Sequence, residues 1–71
     1  MTLAQTPPNR VARITGLEGD AVLVARLREI GFIRGEEVRV RGRAPFGDPL
    51  IVEIRGTVIA LRWEEAACIK I

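Results

Sequence analysis

Few residues in this 71-residue chain are of a type that could carry out chemistry. It contains no histidine, which removes the commonest general base and the commonest transition-metal ligand. Serine and tyrosine are absent as well. The single cysteine, Cys68, has no histidine partner and lies in an apolar segment, so we interpret it as a buried, unreactive thiol. The sequence therefore predicts no catalytic residue and no enzyme.

The carboxylates do not form a pattern typical of a metal site. Glu36-Glu37 and Glu64-Glu65 place adjacent side chains on different sides of a strand or turn, and Asp48 stands alone between a glycine and a proline. Hard cations need several converging oxygens, and zinc needs thiolates or imidazoles. Residues 16–19 hold two glycines but lack the lysine and hydroxyl residue of a phosphate loop, which favours a flexible turn. We expect no metal site and no cofactor.

A loop with two prolines is the segment best suited to binding a partner. Proline restricts the loop before any partner arrives, which lowers the ordering cost of binding. Phe46 near its tip is either an exposed anchor for a partner or a cap folded over one end of the core, and the sequence favours neither. Trp63, farther along the chain, is more typical of a lid on the core than of a contact. The loop consists of Ala44, Pro45, Phe46, Gly47, Asp48, Pro49 and Leu50.

This loop must be held by the elements on either side of it, which alternate in polarity. Val38 and Val40 precede it with arginines between them, and residues 50–54 repeat the pattern after it. Since successive side chains of a strand point to opposite faces, the pattern predicts strands over residues 36–43, 50–56 and 57–61. Short connections make these an antiparallel meander over a core. The hairpin should place Arg41 near Glu53 and Arg39 near Arg55 on the outer face, with Arg43.

The remaining elements follow from changes in the spacing of apolar residues. Residues 10–15 alternate weakly and predict a first strand, and residues 62–67 predict one helical turn. A helical stripe begins after Asp20, a suitable N-cap, and ends at Gly31, after which Phe32 should fold back on Leu27. Residues 68–71 alternate again as a last strand. Residues 1–9, with Pro7-Pro8, predict an extended lead-in whose Leu3 packs on the core.

These elements predict one domain over residues 10–71. Its fold class is mainly β, a small SH3-like β-barrel of about five antiparallel strands with one α-helix inserted after the first strand. The net charge of +2 is too small to indicate a nucleic-acid-binding protein by itself. The longest apolar run, Ala21 to Ala25, is too short for a bilayer, and no signal peptide is evident, so we expect a cytoplasmic protein that is not embedded in a membrane.

Three linked segments resemble the ferrous iron transport protein A (FeoA) family. Residues 26–35 resemble its "RLxELGFxPG" segment, and residues 44–50 resemble its "APLGDPL" loop. Residues 55–66 are similar to its closing "RGxxIALRxxEA" segment. Arg34 and Phe46 stand where proline and leucine are commoner in the family.

The resemblance implies a cytosolic SH3-like protein that accompanies the ferrous iron permease FeoB, whose cytosolic part is a GTP-binding domain. We expect an accessory contact with that domain or with the membrane part. The residues expected to make the contact are Pro45, Phe46, Gly47, Asp48, Pro49, Phe32 and Arg34.

Three alternatives stay open from the sequence. A nucleic-acid-binding barrel would use the outer arginines, although no aromatic residue lies among them for base stacking, and we expect no nucleic acid. A stand-alone relative of the C-terminal domain of metal-dependent repressors of the diphtheria-toxin-repressor type would share the fold. A homo-oligomer would pair open sheet edges, for which residues 68–71 are the expected edge. The arginines of the first alternative are Arg39, Arg41, Arg43, Arg55 and Arg62.

Overall fold

A computed structural model describes residues 1–71. The chain begins with a 3₁₀ helix over Leu3–Gln5 and continues through six strands and two α-helices. In chain order these are β1 (Val11–Arg13), β2 (Gly16–Leu17), α1 (Ala21–Ile30), β3 (Glu37–Arg43), β4 (Leu50–Ile54), β5 (Thr57–Leu61), α2 (Trp63–Ala66) and β6 (Ile69–Lys70). The predicted fold class, mainly β with antiparallel strands and one main helix, is confirmed.

Two sheets form the domain. Four strands pair in the order β1-β3-β4-β5, and β2 pairs with β6 in a separate two-stranded sheet. The two-residue strand β2 is a correction, because the sequence predicted a flexible turn there. A strand of two residues is too short to show alternation in the sequence. Gly16 and Leu17 are extended because they pair with Lys70 and Ile69 near the other end of the chain.

The meander encloses the core as its alternation predicts. Val38, Val40 and Val52 are fully buried, and β3 pairs with β4 and β4 with β5 in antiparallel register. The wider core consists of Leu3, Ala4, Ile14, Val24, Leu27, Phe32, Val38, Val40, Leu50, Val52, Ile54, Leu61, Ala66, Cys68 and Ile69. Cys68 is thus buried, as its apolar segment indicated.

A β-bulge between Val40 and Gly42 changes the outer face of β3. The predicted pair forms, since Arg41 donates to Glu53 at 2.7 Å. Arg39 lies opposite Glu53 in the register and lines one shallow groove together with Arg55. Arg43 is a correction: because the bulge inserts an extra residue, its side chain is half-buried and turns toward the N-terminal segment instead of joining the outer face.

Helix α1 begins and ends as the sequence predicts. The carboxylate of Asp20 accepts from the backbone N–H of Leu23 at 3.0 Å. At the other end Gly31 has φ of 125°, a left-handed conformation that favours glycine. The Phe32 N–H donates to the Leu27 carbonyl at 3.0 Å, and the Gly31 N–H donates to that of Arg28 at 3.1 Å, which is the Schellman arrangement.

The N-terminal segment is part of the core and is not extended throughout. Leu3 is fully buried, as predicted, but it lies in a 3₁₀ helix. Thr2 bridges Lys70, and the N–H of Ile71 donates to the carbonyl of Met1 at 3.2 Å. Contacts with the far end of the chain therefore fix a segment whose local sequence favours an extended chain. Neither α1 nor α2 has the length and apolar character needed to cross a membrane.

Candidate protein-contact surface

The loop between β3 and β4 is closed by its own backbone. The N–H of Ala44 donates to the Pro49 carbonyl at 3.0 Å, which joins the two ends of the loop. Within it, the Gly47 N–H donates to the Ala44 carbonyl at 2.8 Å, and Gly47 has φ of 87°. A residue with a side chain rarely adopts that conformation, so glycine is required at the turn.

Arg43 ties this loop to the N-terminal segment. Its guanidinium donates to the carbonyl of Gly47 at 3.3 Å and to the carbonyl of Ala4 at 2.5 Å. Arginine suits this role because its planar group presents several donors in fixed directions. The loop is therefore attached to the N-terminal segment as well as closed at its own ends.

Asp48 ties the loop to helix α2. Its Oδ1 accepts from the backbone N–H of Trp63, the first residue of α2, at 2.9 Å. The first amides of a helix have no partner within the helix, so an acceptor at this point stabilises the start of α2. Asp48 thus has a structural role that its place in the sequence did not indicate.

Two aromatic side chains are exposed here. Phe46 is 99% exposed at the loop tip, which excludes the alternative that it folds down to cap the core. Trp63 is 52% exposed, so its interpretation as a core lid was wrong. Trp63 is exposed because it is the first residue of α2, where its backbone N–H is bound by Asp48. The residue that α2 buries in the core is Ala66.

A shallow depression lies beside the loop. It has a volume of about 280 Å³ and is lined by Asp48, Pro49, Ala60 and Arg62. The contact surface, by which we mean residues 45–49 with Arg62 and Trp63, thus combines a closed loop, two exposed aromatic rings and a depression at the end of β5. Arg62 and Trp63 were missed as members of this surface, because they adjoin the loop only through the depression and the Asp48 hydrogen bond, which join segments far apart in the sequence.

Two residues predicted for the contact lie elsewhere. Phe32 is a correction: its exposed fraction is 0%, since the Schellman ending of α1 turns its ring into the core. Arg34 is exposed in the turn after α1, and no hydrogen bond or ion pair connects it to the loop. The structure thus brings together residues 45–49 and leaves the other two outside the group.

The outer sheet face carries charges of both signs. Arg13 pairs with Glu37 at 2.9 Å, and Arg55 pairs with Glu36 at 3.2 Å. The groove on this face is lined by Val11, Glu37, Arg39, Glu53, Arg55 and Gly56. A mixed face of this kind is not the cluster of like charge that phosphate binding requires. No three His, Cys, Asp or Glu side chains of the chain lie together in a group that could hold a metal ion.

Comparison with known proteins places the chain in a defined sequence family. The family model of the FeoA domain matches residues 1–71. A protein of Porphyromonas gingivalis (strain ATCC BAA-308 / W83), described as an Fe(2+) transport protein A/Fe(2+) transporter FeoB fusion protein, is 34% identical over 71 residues. That alignment covers 100% of this chain and 8% of the fusion protein, so the chain spans a small part of this relative.

Solved structures agree with that match. The crystal structure of Stenotrophomonas maltophilia FeoA complexed with zinc, described as an SH3 domain protein, is 37% identical with a TM-score of 0.85. The match covers 97% of this chain and 86% of that one. The solution structure of iron(II) transport protein A from Clostridium thermocellum is 38% identical with a TM-score of 0.91, covering 99% of this chain and 43% of that one.

The similarity of fold extends to proteins of much lower sequence identity. A manganese-dependent transcriptional repressor is 18% identical with a TM-score of 0.86, over 97% of this chain and 39% of that one. At this identity the likeness concerns the backbone arrangement and carries no argument about regulation.

Proposed function

The chain belongs to the FeoA domain family, which is linked to ferrous iron transport, and from that premise we propose that it is an accessory protein of a FeoB-type ferrous iron permease. It acts by protein contact on the cytoplasmic side, without catalysing a reaction itself. The ferrous ion is the cargo of the permease in this proposal and not a ligand of this domain.

The fusion protein carries the proposal. A sequence similar to the whole of this chain occurs there in one polypeptide with a Fe(2+) transporter. Two domains in one polypeptide meet at a high effective concentration, which favours a contact that is weak between separate chains. We infer that this chain makes the corresponding contact as a separate partner.

Two properties of the contact surface support the proposal that the permease binds there. Phe46 is almost completely exposed, and an aromatic ring has a large apolar area to bury against a partner. The loop that carries it is closed by the hydrogen bonds of Ala44, Arg43 and Asp48. Binding therefore orders little additional backbone, which lowers its entropic cost.

Replacing Phe46 with alanine tests the proposal. The purified chain is immobilised and used to capture the full-length permease in detergent and, separately, its cytosolic GTP-binding domain. We expect Phe46→Ala to weaken capture by about tenfold or more, because loss of a central aromatic anchor costs about 2 kcal/mol or more. The unfolding midpoint should stay unchanged, since the ring contacts solvent.

Val22→Ala is the matched control. Val22 is 67% exposed on α1 and also loses an exposed apolar side chain, but it lies outside the contact surface. Capture by this variant should equal that of the unaltered chain. If Phe46→Ala and Val22→Ala capture the permease equally well, the loop is not the contact. If the unaltered chain captures neither the permease nor its GTP-binding domain, the accessory function itself is refuted.

A further inference from the structure

Strand β5 forms an open edge of the four-stranded sheet. The strand order β1-β3-β4-β5 pairs it with β4 on one side and with nothing on the other. The hydrogen bonds formed outside regular helices and ladders involve no backbone group of residues 57–61. No side chain donates to or accepts from these residues either, so the outer edge of β5 has no partner within the chain.

The hairpin geometry identifies the unpaired groups. Arg55 and Gly56 form a two-residue turn with φ of 52° and 82°, so Ile54 and Thr57 close the hairpin as a hydrogen-bonded pair. Hydrogen-bonded and non-bonded pairs alternate along an antiparallel ladder. The N–H and C=O groups of Val58 and Ala60 consequently point away from β4, toward solvent.

This edge lacks the features that usually prevent strands from pairing with other chains. Natural edge strands carry charges, prolines or bulges, or they are very short. The five residues of β5 are Thr57, Val58, Ile59, Ala60 and Leu61, and they contain no charge and no proline. Their pairing with β4 is also without a bulge.

The other chain end does not offer such an edge. The sequence placed possible self-association at residues 68–71, but β6 pairs with β2 on one side, and Lys70 forms a bridge with Thr2. The opposite edge of the large sheet, β1, has three residues and carries Arg13 in an ion pair with Glu37. With five residues, β5 is therefore the longest edge strand of the domain and the one best suited to accept an added strand.

We propose that β5 pairs with β5 of a second copy of this chain, antiparallel about a two-fold axis through Ile59. In that register Val58 of each copy lies opposite Ala60 of the other. The outward N–H and C=O groups of Val58 in one copy then form hydrogen bonds with those of Ala60 in the other copy, and the two-fold axis repeats these bonds.

The composition of the edge favours a second copy as the occupant. Self-pairing places identical strands side by side, so like charges on the strand would repel each other. Strand β5 carries no charge, so two copies of it can pair without this repulsion. Val58 is 58% exposed and would pack against the small side chain of Ala60 twice in the symmetric pair. This inference does not rest on the proposed contact with the permease.

Val58→Lys tests the pairing without disturbing the monomer. Val58 lies directly opposite Glu53 within the hairpin, so a lysine at this position faces a carboxylate and is compatible with the fold. In the symmetric pair each lysine would replace the valine that packs on Ala60 of the other copy, and the two lysines would be diagonal neighbours about 7–8 Å apart with like charge. Sedimentation equilibrium from about 10 µM to about 1 mM protein covers the range of weak self-association.

The unaltered chain should become dimeric within that range, and Val58→Lys should raise the dimer dissociation constant by about tenfold or more. Val22→Lys makes the same change on the exposed surface of α1 and should leave the constant unaltered. Circular dichroism of both variants checks that they fold as the unaltered chain does.

Hydrogen exchange locates the interface independently. The amides of Val58 and Ala60 should exchange more slowly as the concentration rises, whereas exposed amides elsewhere should not. Ala60→Pro removes one outward N–H without removing a bond to β4 and should abolish this concentration dependence. A chain that stays monomeric at all concentrations, or a dimer that Val58→Lys leaves unchanged, would overturn the inference.

Discussion

At the scale of single residues, two positions behave in ways that their local sequence does not show. Arg43 belongs to an alternating run of arginines, yet its side chain is half-buried against the carbonyls of Ala4 and Gly47. The bulge before it supplies the reason, since one extra residue in a strand changes the direction of the side chains after it. Gly19 is the second position, and it lends itself to a direct test.

Gly19→Ala should destabilise the domain. Gly19 has φ of 138°, and a Cβ built there would lie 2.8 Å from the Sγ of Cys68. Both the strained backbone and the clash act against the folded state, so we expect a loss of about 1–3 kcal/mol in the free energy of unfolding. Urea denaturation measures it.

Gly16→Ala provides the control for this substitution. A Cβ at Gly16 meets no atom within 4 Å, and its φ is not in the left-handed region, so this variant should change the stability far less. The double variant Gly19→Ala with Cys68→Ala, compared with Cys68→Ala alone, should lack the clash while it keeps the backbone strain, because the Cβ of Cys68 lies 3.7 Å away. Equal stability of the Gly16 and Gly19 variants would refute the argument.

At the scale of elements, the loop after β3 and the helix α2 form one unit. The bond from the Trp63 N–H to Asp48 joins segments that are fifteen residues apart. A helix of four residues has little stability of its own, because most of its backbone groups lack partners within the helix. Contacts with the loop and the core therefore determine where α2 forms.

Asp48→Ala should reduce the stability by about 0.5–2 kcal/mol, the range found for lost acceptors at helix N-termini. Thermal unfolding followed by circular dichroism measures the change. Asp48→Asn keeps an oxygen at the same position and should retain most of the stability. A charge reversal such as Asp48→Lys would remove the same acceptor, so it would change the stability as well as any binding through the loop. If Asp48→Ala unfolds at the same temperature as the unaltered chain, this bond does not stabilise the domain.

At the scale of the whole molecule, the two chain ends lie together. Thr2 bridges Lys70, and the Ile71 N–H donates to the carbonyl of Met1. Leu3 and Ala4 from the N-terminal segment and Cys68 and Ile69 near the other end belong to one core. A domain of this size has a small total stability, so each large core side chain contributes a sizeable part of it.

Leu3→Ala should therefore be among the most damaging single substitutions. Leu3 is fully buried, and removing a buried leucine side chain costs about 2–5 kcal/mol. Urea denaturation measures this cost. Val22→Ala, an exposed site, should change stability by less than about 0.5 kcal/mol. A mild effect of Leu3→Ala would show that the N-terminal segment is dispensable for the fold.

Much of the fold could be predicted from local sequence. The alternation around Val38, Val40 and Val52 identified the meander, and Asp20 and Gly31 marked the ends of α1. The candidate surface was predicted less completely. Its loop was found from its prolines and glycine, but Phe32 was placed on the surface although it is buried, and Trp63 was placed on the core although it is half-exposed.

The sequence by itself determined the class of fold, the helix, the meander and the position of the loop after β3. Each of these depends on spacing over a few residues: a period of two, a helical stripe, a cap or a turn. The tertiary structure decided the pairing of β2 with β6, the 3₁₀ helix around Leu3, the direction of Arg43 and the open edge of β5. These depend on contacts between residues far apart in the chain, whose partners local patterns do not specify.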